Sequence, residues 1–202
     1  MAKTGRTAFN KDYQRIVGQF SRELLHDISK EVTATLKQHG LIQDGFHFFE
    51  IGSGGARNLW YLWKENNSIK ISCNDFWEQQ SRENMHDDIK ELINFYEGDT
   101  EEILSDLPEI NIDVLLSVDH MMHLPRVKGE AVISLIKDKI KPQYIVLRER
   151  RKEYETPEET AQSYPRNYHN YERLEEQYEL LHEYTSKAAS EYFIRVYKRL
   201  TK

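Results

Sequence analysis

Three of the nine glycines in this chain lie within residues 52–55, in the stretch EIGSGGARN that follows an apolar run. Glycine loses the most conformational freedom on folding, so a cluster of glycines indicates a sharp turn or a close approach of another group to the backbone. Between a strand and a helix, such a turn lets a nucleotide lie against bare backbone. The stretch therefore predicts a nucleotide-like ligand, with a purely structural turn as the alternative.

Polar residues also close the neighbouring apolar runs. Glu50 lies two residues before Gly52, Asp75 closes the run IKISCN, and Asp99 closes a run in YEGDT. A carboxylate in such a place can bind both hydroxyls of a ribose through charge-assisted hydrogen bonds, or contact the edge of a base. A fourth run ends in the polar stretch SVDHMMHLP. If these runs are parallel strands, all of these groups meet at one edge of a sheet.

The elements that would position these residues are short apolar runs separated by amphipathic stretches. The spacing predicts strands at 46–51, 69–74, 93–98, 112–118 and 144–149, and helices near 56–66, 79–92, 100–107 and 127–139. Strands that alternate with helices in this way form right-handed crossovers and a mostly parallel sheet.

The C-terminal residues depart from this alternation. Two strand-like runs, 178–185 and 190–200, are too close together for a helical crossover, so they predict an antiparallel hairpin. The chain is thus predicted to be an α/β protein with a seven-stranded, mostly parallel sheet, a C-terminal antiparallel hairpin and helices on both faces.

A further amphipathic helix is predicted ahead of the sheet, over residues 10–39. Apolar residues recur along it at three- and four-residue spacing, with Asn10 as its N-cap and Gly40 as its stop. A break near Gly18 is compatible with this pattern. We expect the helix to cover the ligand, with Tyr13 facing it.

Composition and charge bound the class of protein. The 202 residues, 39% of them hydrophobic, suffice for one substantial core, and no Pro/Gly/Ser-rich linker divides them. A net charge of −6 disfavours broad binding to nucleic acid. Cys73 is the single cysteine, which excludes an intramolecular disulfide and a multi-cysteine metal site. No apolar run reaches membrane-spanning length and no secretory signal is recognisable, so a cytoplasmic location is predicted.

The residues above resemble the class I S-adenosylmethionine-dependent methyltransferases over nearly the whole chain. EIGSGGARN is similar to the first motif of that family, acid-x-Gly-x-Gly-x-Gly, and Asp75 matches its ribose-binding acid. EGDTEEI, DVLLSVDHMMHLP and KPQYIVLRE resemble the adenine-contacting segment, the fourth motif and the strand after it. Ala56 replaces the third glycine, and because alanine adds only a methyl group, we expect the turn to survive.

The resemblance implies S-adenosyl-L-methionine as the cofactor. Glu50 and the backbone of Gly52, Ser53 and Gly54 would hold its methionine end. The alternative for Glu50 is an edge carboxylate that pairs with the start of the following helix.

The resemblance also implies contacts to the adenosine. Asp75 would bind the ribose hydroxyls and Phe76 would pack on the adenine. Asp99 would meet the adenine amino group with Thr100 beside it, and Ser117 would contact the cofactor near the transferred methyl. The alternatives are a helix cap at Asp75 and turn or cap chemistry at Asp99.

Candidates for a general base are His120, His123 and Glu149. The spacing of HMMH puts both histidines on one helical face, which raises the question of a metal site. A metal would need a third ligand that the sequence does not offer, so no metal is predicted.

One domain is predicted over residues 1–202. It comprises a helical cap (1–40), a cofactor-binding core (41–149), an acceptor-site lid (150–173) and a closing hairpin (174–202). Tyr164 and Tyr168 of the lid, together with Arg148, are expected to contact the acceptor, because tyrosine gives a large contact area with a polar tip. A solvated charge run is the alternative reading of this segment.

The predicted function is transfer of a methyl group to an oxygen or nitrogen of a small molecule, such as a sugar or a secondary metabolite. Alternatives are a cofactor-binding partner or regulatory subunit without catalysis, a nucleic-acid or protein methyltransferase, and a nicotinamide-dependent oxidoreductase. The G-x-G-x-x-G spacing of the last class fails because Arg57 stands at its final position. A P-loop is excluded because Gly-Lys-Ser/Thr does not occur. The sequence leaves the oligomeric state open.

Overall fold

The computed structural model describes residues 22–156 and 166–201. Seven strands form one sheet in the order β3-β2-β1-β4-β5-β7-β6. The strands are β1 (His47–Ile51), β2 (Lys70–Asp75), β3 (Asn94–Glu97), β4 (Val114–Val118), β5 (Tyr144–Arg150), β6 (Tyr178–Thr185) and β7 (Tyr192–Arg199). The first five are parallel to one another, and β7 is antiparallel to both β5 and β6. The predicted mixed sheet with its closing hairpin is confirmed.

The helices of the described residues connect these strands. They are α1 (Arg22–Gln38), α2 (Arg57–Glu65), α3 (Glu78–Asn84), α4 (Asp87–Lys90), α5 (Thr100–Asp106) and α6 (Arg126–Leu135), with a π-helical turn, Ile136–Ile140, after α6. The helix predicted near 79–92 is divided in two. Met85 and His86 are extended there, and the His86 ring accepts a hydrogen bond from the Asp88 N–H as the cap of α4.

Side chains that alternate along each strand fill two apolar layers. Phe48 of β1 and Val146 of β5 pack with α1 and α2 on one face of the sheet. Phe49 and Leu147 pack with α5, α6 and Leu174 on the other face. Because the central strands β1, β4 and β5 are covered on both sides, the groups at their carboxyl ends are held by two layers of core.

The described part of the N-terminal helix agrees with its predicted end. Helix α1 stops at Gln38, and Gly40 follows with a φ of 65°. The predicted positions Asn10, Tyr13 and Gly18 lie outside the described residues. Within the described residues, no helix has both the length and the apolar character needed to cross a membrane.

The C-terminal part of the predicted lid is built into the core. The backbone N–H of Asn167 donates to the Met122 carbonyl at 2.8 Å, and its side chain donates to the Leu124 carbonyl at 2.9 Å. Tyr171 is 1% exposed, whereas Tyr168 is half-buried. Tyr164 lies outside the described residues. Asn167 and Tyr171 thus support the loop after β4, whereas Lys152, Glu153 and Tyr154 at the start of the segment are exposed.

Candidate functional site

The glycine-rich turn joins β1 to α2 in a left-handed backbone path. Gly52 and Gly54 have φ values of 61° and 53°, and Ala56, at the N-cap of α2, has a φ of 50°. The turn therefore survives the replacement of the third glycine, with Ala56 buried and carrying the backbone strain that a glycine would avoid. A Cβ on Gly55 would lie 2.8 Å from the Asn84 carbonyl oxygen, so close packing against α3 requires glycine there.

Glu50 places a buried carboxylate beside this turn. The residue is 1% exposed, its Oε1 accepts a hydrogen bond from Asn58 Nδ2 at 2.6 Å, and Asn58 accepts one from Ser29 of α1 at 2.8 Å. Burial raises the pKa of Glu50 to about 8. Its Oε2 is buried without a hydrogen-bond partner among the described residues. A buried carboxylate with one open oxygen is suited to a cationic ligand, because an unpaired buried acceptor costs free energy.

Asp75 ties the end of β2 to the same turn. Its Oδ2 accepts the N–H of Gly54 at 2.7 Å, and its Oδ1 accepts the N–H of Phe76 at 2.7 Å. Burial raises its pKa, and these two N–H groups oppose that shift. Asp75 does not cap the following helix, whose N-cap is Trp77. The half-buried Phe76 lies directly beside it.

Asp99 is engaged with protein groups through both oxygens. Oδ1 accepts the N–H of Glu101 as the N-cap of α5, and Oδ2 accepts from Lys128 Nζ at 2.5 Å. Asp99 therefore caps helix α5, which is the alternative to adenine binding that the sequence left open. Any contact of Asp99 with an adenine would have to share these oxygens.

A relay of hydrogen bonds through Asn74, Thr100 and His120 fixes which ring nitrogen of His120 carries the proton. Asn74 donates from Nδ2 to the carbonyls of Tyr96 and Gly98, so its Oδ1 must accept from the Thr100 hydroxyl at 2.7 Å. The Thr100 hydroxyl donates its single proton to Asn74, so it must accept a hydrogen bond from His120 Nε2 at 2.9 Å. The proton of His120 therefore sits on Nε2, and Nδ1 carries a lone pair.

The His120 ring lies against the first glycine of the turn. A Cβ built on Gly52 would overlap His120 Nδ1, so the lone pair of Nδ1 lies beside the glycine-rich backbone. Burial lowers the pKa of His120 to about 3, and nearby His123 adds to this shift. His120 is therefore a neutral hydrogen-bond acceptor in the site, and it is too weak a base to retain a proton.

Glu149, at the end of β5, is a second buried carboxylate with a different role. Oε1 accepts from the Ser117 hydroxyl at 2.6 Å and from the N–H groups of His120 and Met121, and Oε2 accepts from the N–H of Met122. Burial raises its pKa to about 7. The carboxylate thus anchors the loop after β4 by its backbone, and Ser117 is its side-chain partner.

The two histidines of HMMH lie at the start and the end of a short 3₁₀ turn, with His120 as the N-cap of Met121–His123. Residues three apart lie on one side of such a turn, and His123 acts electrostatically on His120. The His120 ring lies against Gly52, whereas His123 is exposed. Among the described residues, no group of three or more His, Cys, Asp or Glu side chains is placed to hold a metal ion.

Arg148 is placed at the same edge but is buried. It is 1% exposed, forms an ion pair with Asp119, donates from Nε to Ser186 Oγ at 3.3 Å, and lies 4.4 Å from the ring centre of Tyr192. Asp119 has a φ of 56°, which turns the chain between Val118 and His120.

Sequence reasoning missed the residues that support this site. Asn58, Asn74 and Asp119 bond to Glu50, Thr100 and Arg148 respectively. A signal existed at Asn74, since an amide inside the apolar run IKISCN must find partners in the core. The ion pair of Asp99 with Lys128 spans 29 residues and has no local signal.

Comparison with known proteins identifies the fold. No protein-family model matches the chain, and no curated protein matches it in sequence. Magnesium protoporphyrin IX methyltransferase from Synechocystis, with bound SAH, is 15% identical with a TM-score of 0.69, over 96% of this chain and 95% of that one. A TehB-like SAM-dependent methyltransferase from Corynebacterium glutamicum is 12% identical with a TM-score of 0.61, over 96% and 97% of the two chains. The methyltransferase domain of the bacterial protein CtHen1 is 14% identical with a TM-score of 0.63, over 87% and 98%. The chain therefore has the fold of the class I S-adenosylmethionine-dependent methyltransferases.

Proposed function

We propose that this protein is an enzyme that uses S-adenosylmethionine to methylate an oxygen or nitrogen of a small-molecule acceptor. The open oxygen of Glu50 beside the glycine-rich turn supports the proposal most directly. Solved structures of the same fold include a methyltransferase with bound SAH. The acidic net charge of −6 favours a small acceptor over a nucleic acid. The cytoplasmic location remains a prediction from the sequence.

The residues present fit this cofactor. Glu50 would hold the amino group at the methionine end, where its buried Oε2 has no partner among the described residues. The backbone of Gly52, Ser53 and Gly54 would line the same end. Asp75 would accept the ribose hydroxyls, sharing the oxygens that now accept backbone N–H groups.

Other predicted residues are assigned according to the bonds they already make. Phe76 would pack on the adenine. Thr100 would act through the relay that holds His120, and Asp99 would meet the adenine amino group while it caps α5. Ser117 acts through Glu149, which positions the loop after β4.

The bound cofactor supplies an electrophilic methyl group on a sulfonium. The protein then has to hold the acceptor in line with that methyl and exclude water. Neutral His120 accepts a hydrogen bond from the acceptor at Nδ1 and so orients the lone pair that reacts. Because its pKa is lowered to about 3, His120 orients the acceptor and does not store its proton. His123 is exposed and Glu149 is fully engaged, so neither is assigned as the base.

The first test is an isothermal titration of the wild-type chain with S-adenosylmethionine, S-adenosylhomocysteine and NAD in parallel. We expect both sulfur ligands to bind and NAD not to bind. Binding of NAD alone would contradict the proposal. Binding of the sulfur ligands without transfer to any acceptor in a broad screen would favour the non-catalytic alternative.

Asp75→Asn is expected to weaken binding of S-adenosylhomocysteine by about 1.5–3 kcal/mol for each charge-assisted bond lost. The matched control is Asp113→Asn. Asp113 likewise accepts a backbone N–H, from His47 at 2.8 Å, but lies at the opposite end of the sheet. Titration calorimetry of both variants measures the difference. Equal affinities in the two folded variants would remove Asp75 from the site.

The affinity for S-adenosylhomocysteine should rise with pH from about 6 to 8. Glu50, with its pKa raised to about 8, is largely protonated below that value, and only the ionised carboxylate attracts an ammonium. The expected slope is about tenfold per pH unit, and it flattens near pH 8, where Glu50 is ionised and the amine of the ligand begins to lose its proton. Glu50→Gln should bind more weakly without this slope. An unchanged slope in Glu50→Gln would assign the dependence to another group.

A further inference from the structure

An arginine cluster, formed by Arg148, Arg150 and Arg166, surrounds Tyr192 beside the loop after β4. Arg148 and Arg150 are two residues apart and so lie on the same face of β5, and Tyr192 of β7 pairs with Arg150. The two guanidinium carbons lie 4.4 and 5.9 Å from the Tyr192 ring centre. Arg166 pairs with Thr156 in an isolated bridge and acts electrostatically on both Asp119 and Tyr192.

Each of these arginines has a donor without an acceptor. Arg148 Nη2, Arg150 Nη1 and Arg166 Nε are buried atoms that have no hydrogen-bond partner among the described residues. A buried unpaired donor is costly, and most such groups in proteins find a partner. Three of them around one ring therefore indicate a missing acceptor of hydrogen bonds.

The carboxylates nearby do not balance the cluster. Asp119 pairs with Arg148. Glu31 of α1 accepts from the Ser186 hydroxyl and the Lys187 N–H, both at 2.6 Å. Within residues 22–156 and 166–201, Arg150 and Arg166 have no ion pair, so positive charge is in excess among the described groups of the cluster.

The cluster lies within reach of the methyl-transfer site. Strand β5 is separated from β1 only by β4, and two strand spacings amount to about 10 Å. The two loop residues after β4 face opposite ways, since Asp119 pairs with Arg148 while the His120 ring lies against Gly52. Because Asp119 and His120 are adjacent residues at the carboxyl edge of the sheet, a small molecule held at His120 Nδ1 would pass over that edge to reach the arginines.

We propose that the arginine cluster binds an oxyanion, a carboxylate or a phosphate, that is part of the methyl acceptor. This inference rests on the proposed function, and it narrows the acceptor to anionic small molecules. Planar guanidinium groups bind both oxyanions with paired, charge-assisted hydrogen bonds. Arg150 and Arg166 make the direct contacts, and Arg148 supplies charge from behind the Tyr192 ring.

The experiment uses the full chain saturated with S-adenosylhomocysteine. Inorganic phosphate and benzoate are titrated separately, with potassium chloride at equal ionic strength as the baseline. We expect one of them to bind with a dissociation constant of about 1 mM, as for a ligand of so few atoms. At ten times that concentration it should raise the melting temperature by about 3–6 °C. The stronger of the two probes identifies the oxyanion.

Two variants assign the binding to the cluster. Arg150→Gln and Arg166→Gln should each weaken oxyanion binding by at least about tenfold. Arg199→Gln is the matched control, because this exposed arginine donates to the Lys141 carbonyl at the opposite end of β7. No effect of either oxyanion beyond chloride, or an effect that both variants retain, would overturn the inference. Binding of S-adenosylhomocysteine, measured in the same samples, separates this failure from failure of the proposed function.

Discussion

Gly52→Ala is expected to destabilise the fold by about 2–5 kcal/mol and to abolish binding of S-adenosylhomocysteine. An alanine at a φ of 61° costs about 1–2 kcal/mol in backbone strain. Its Cβ would also overlap the His120 ring, and such overpacking adds about 1–3 kcal/mol. To make room, the ring must leave Thr100, which breaks the relay that sets its protonation. Urea unfolding and titration calorimetry measure the two effects.

Gly45→Ala is the matched control for this prediction. Gly45 has a φ of 75°, but a Cβ there meets no atom within 4 Å. Gly45→Ala should therefore lower the free energy of unfolding only by the cost of backbone strain, about 1–2 kcal/mol. In a His120→Ala background, Gly52→Ala should cost no more than this control, since the overlapping ring is gone. An equal cost of the two alanines in the wild-type background would show that His120 does not pack on the turn.

Glu149→Gln should lower the free energy of unfolding by about 2–4 kcal/mol, because an amide cannot satisfy all the donors that the carboxylate accepts. With the amide oxygen in the place of Oε1, the NH₂ group would face the N–H of Met122. In the other orientation it would face the Ser117 hydroxyl and the N–H groups of His120 and Met121. The exposed Glu65→Gln, which removes an ion pair with Lys37, should cost less than about 1 kcal/mol. Urea unfolding of both variants at pH 7 tests the difference.

The pH profile of the same variant distinguishes the carboxylate from a packing effect. Burial raises the pKa of Glu149 from its usual value of 4.5 to about 7, so the native state binds the proton more tightly than the unfolded state does. Its contribution to the free energy of unfolding is therefore fully present below pH 4.5 and is lost as the pH rises to about 7. Glu149→Gln should lack this decline. A variant whose profile runs parallel to the wild type would contradict the assignment.

The strands and the edge at which they end were predictable because one local rule governs them. Apolar runs of four to seven residues between amphipathic stretches can be buried only as central strands, and β1, β4 and β5 lie where this rule puts them. The position of Glu50 and Asp75 at the carboxyl edge follows from the same rule. The division of the helix near 79–92 depends instead on the cap formed by His86, a residue type with weak capping preference.

The partners of the site residues were not predictable in the same way. His120, Thr100 and Asn74 come from three separate segments, and only the folded sheet decides which atoms face one another. The same holds for Glu149. Its residue type allows a role as base, but the folded structure brings four hydrogen-bond donors to its carboxylate. Residue type limits the chemistry that a position can do, whereas tertiary contacts select among the options.

The alternation along β5 separates two tasks that lie on neighbouring residues. Glu149 faces the loop that carries His120, while Arg150 and its partner Tyr192 face the other side of the sheet. Under the proposed role of the arginine cluster, substitutions at Arg150 or Tyr192 would change which acceptor is selected without disturbing the anchor of the loop. A deletion of one residue within β5 would exchange the two faces and disrupt both tasks at once. We therefore expect acceptor preference to diverge through point substitutions and not through a shift of register in β5.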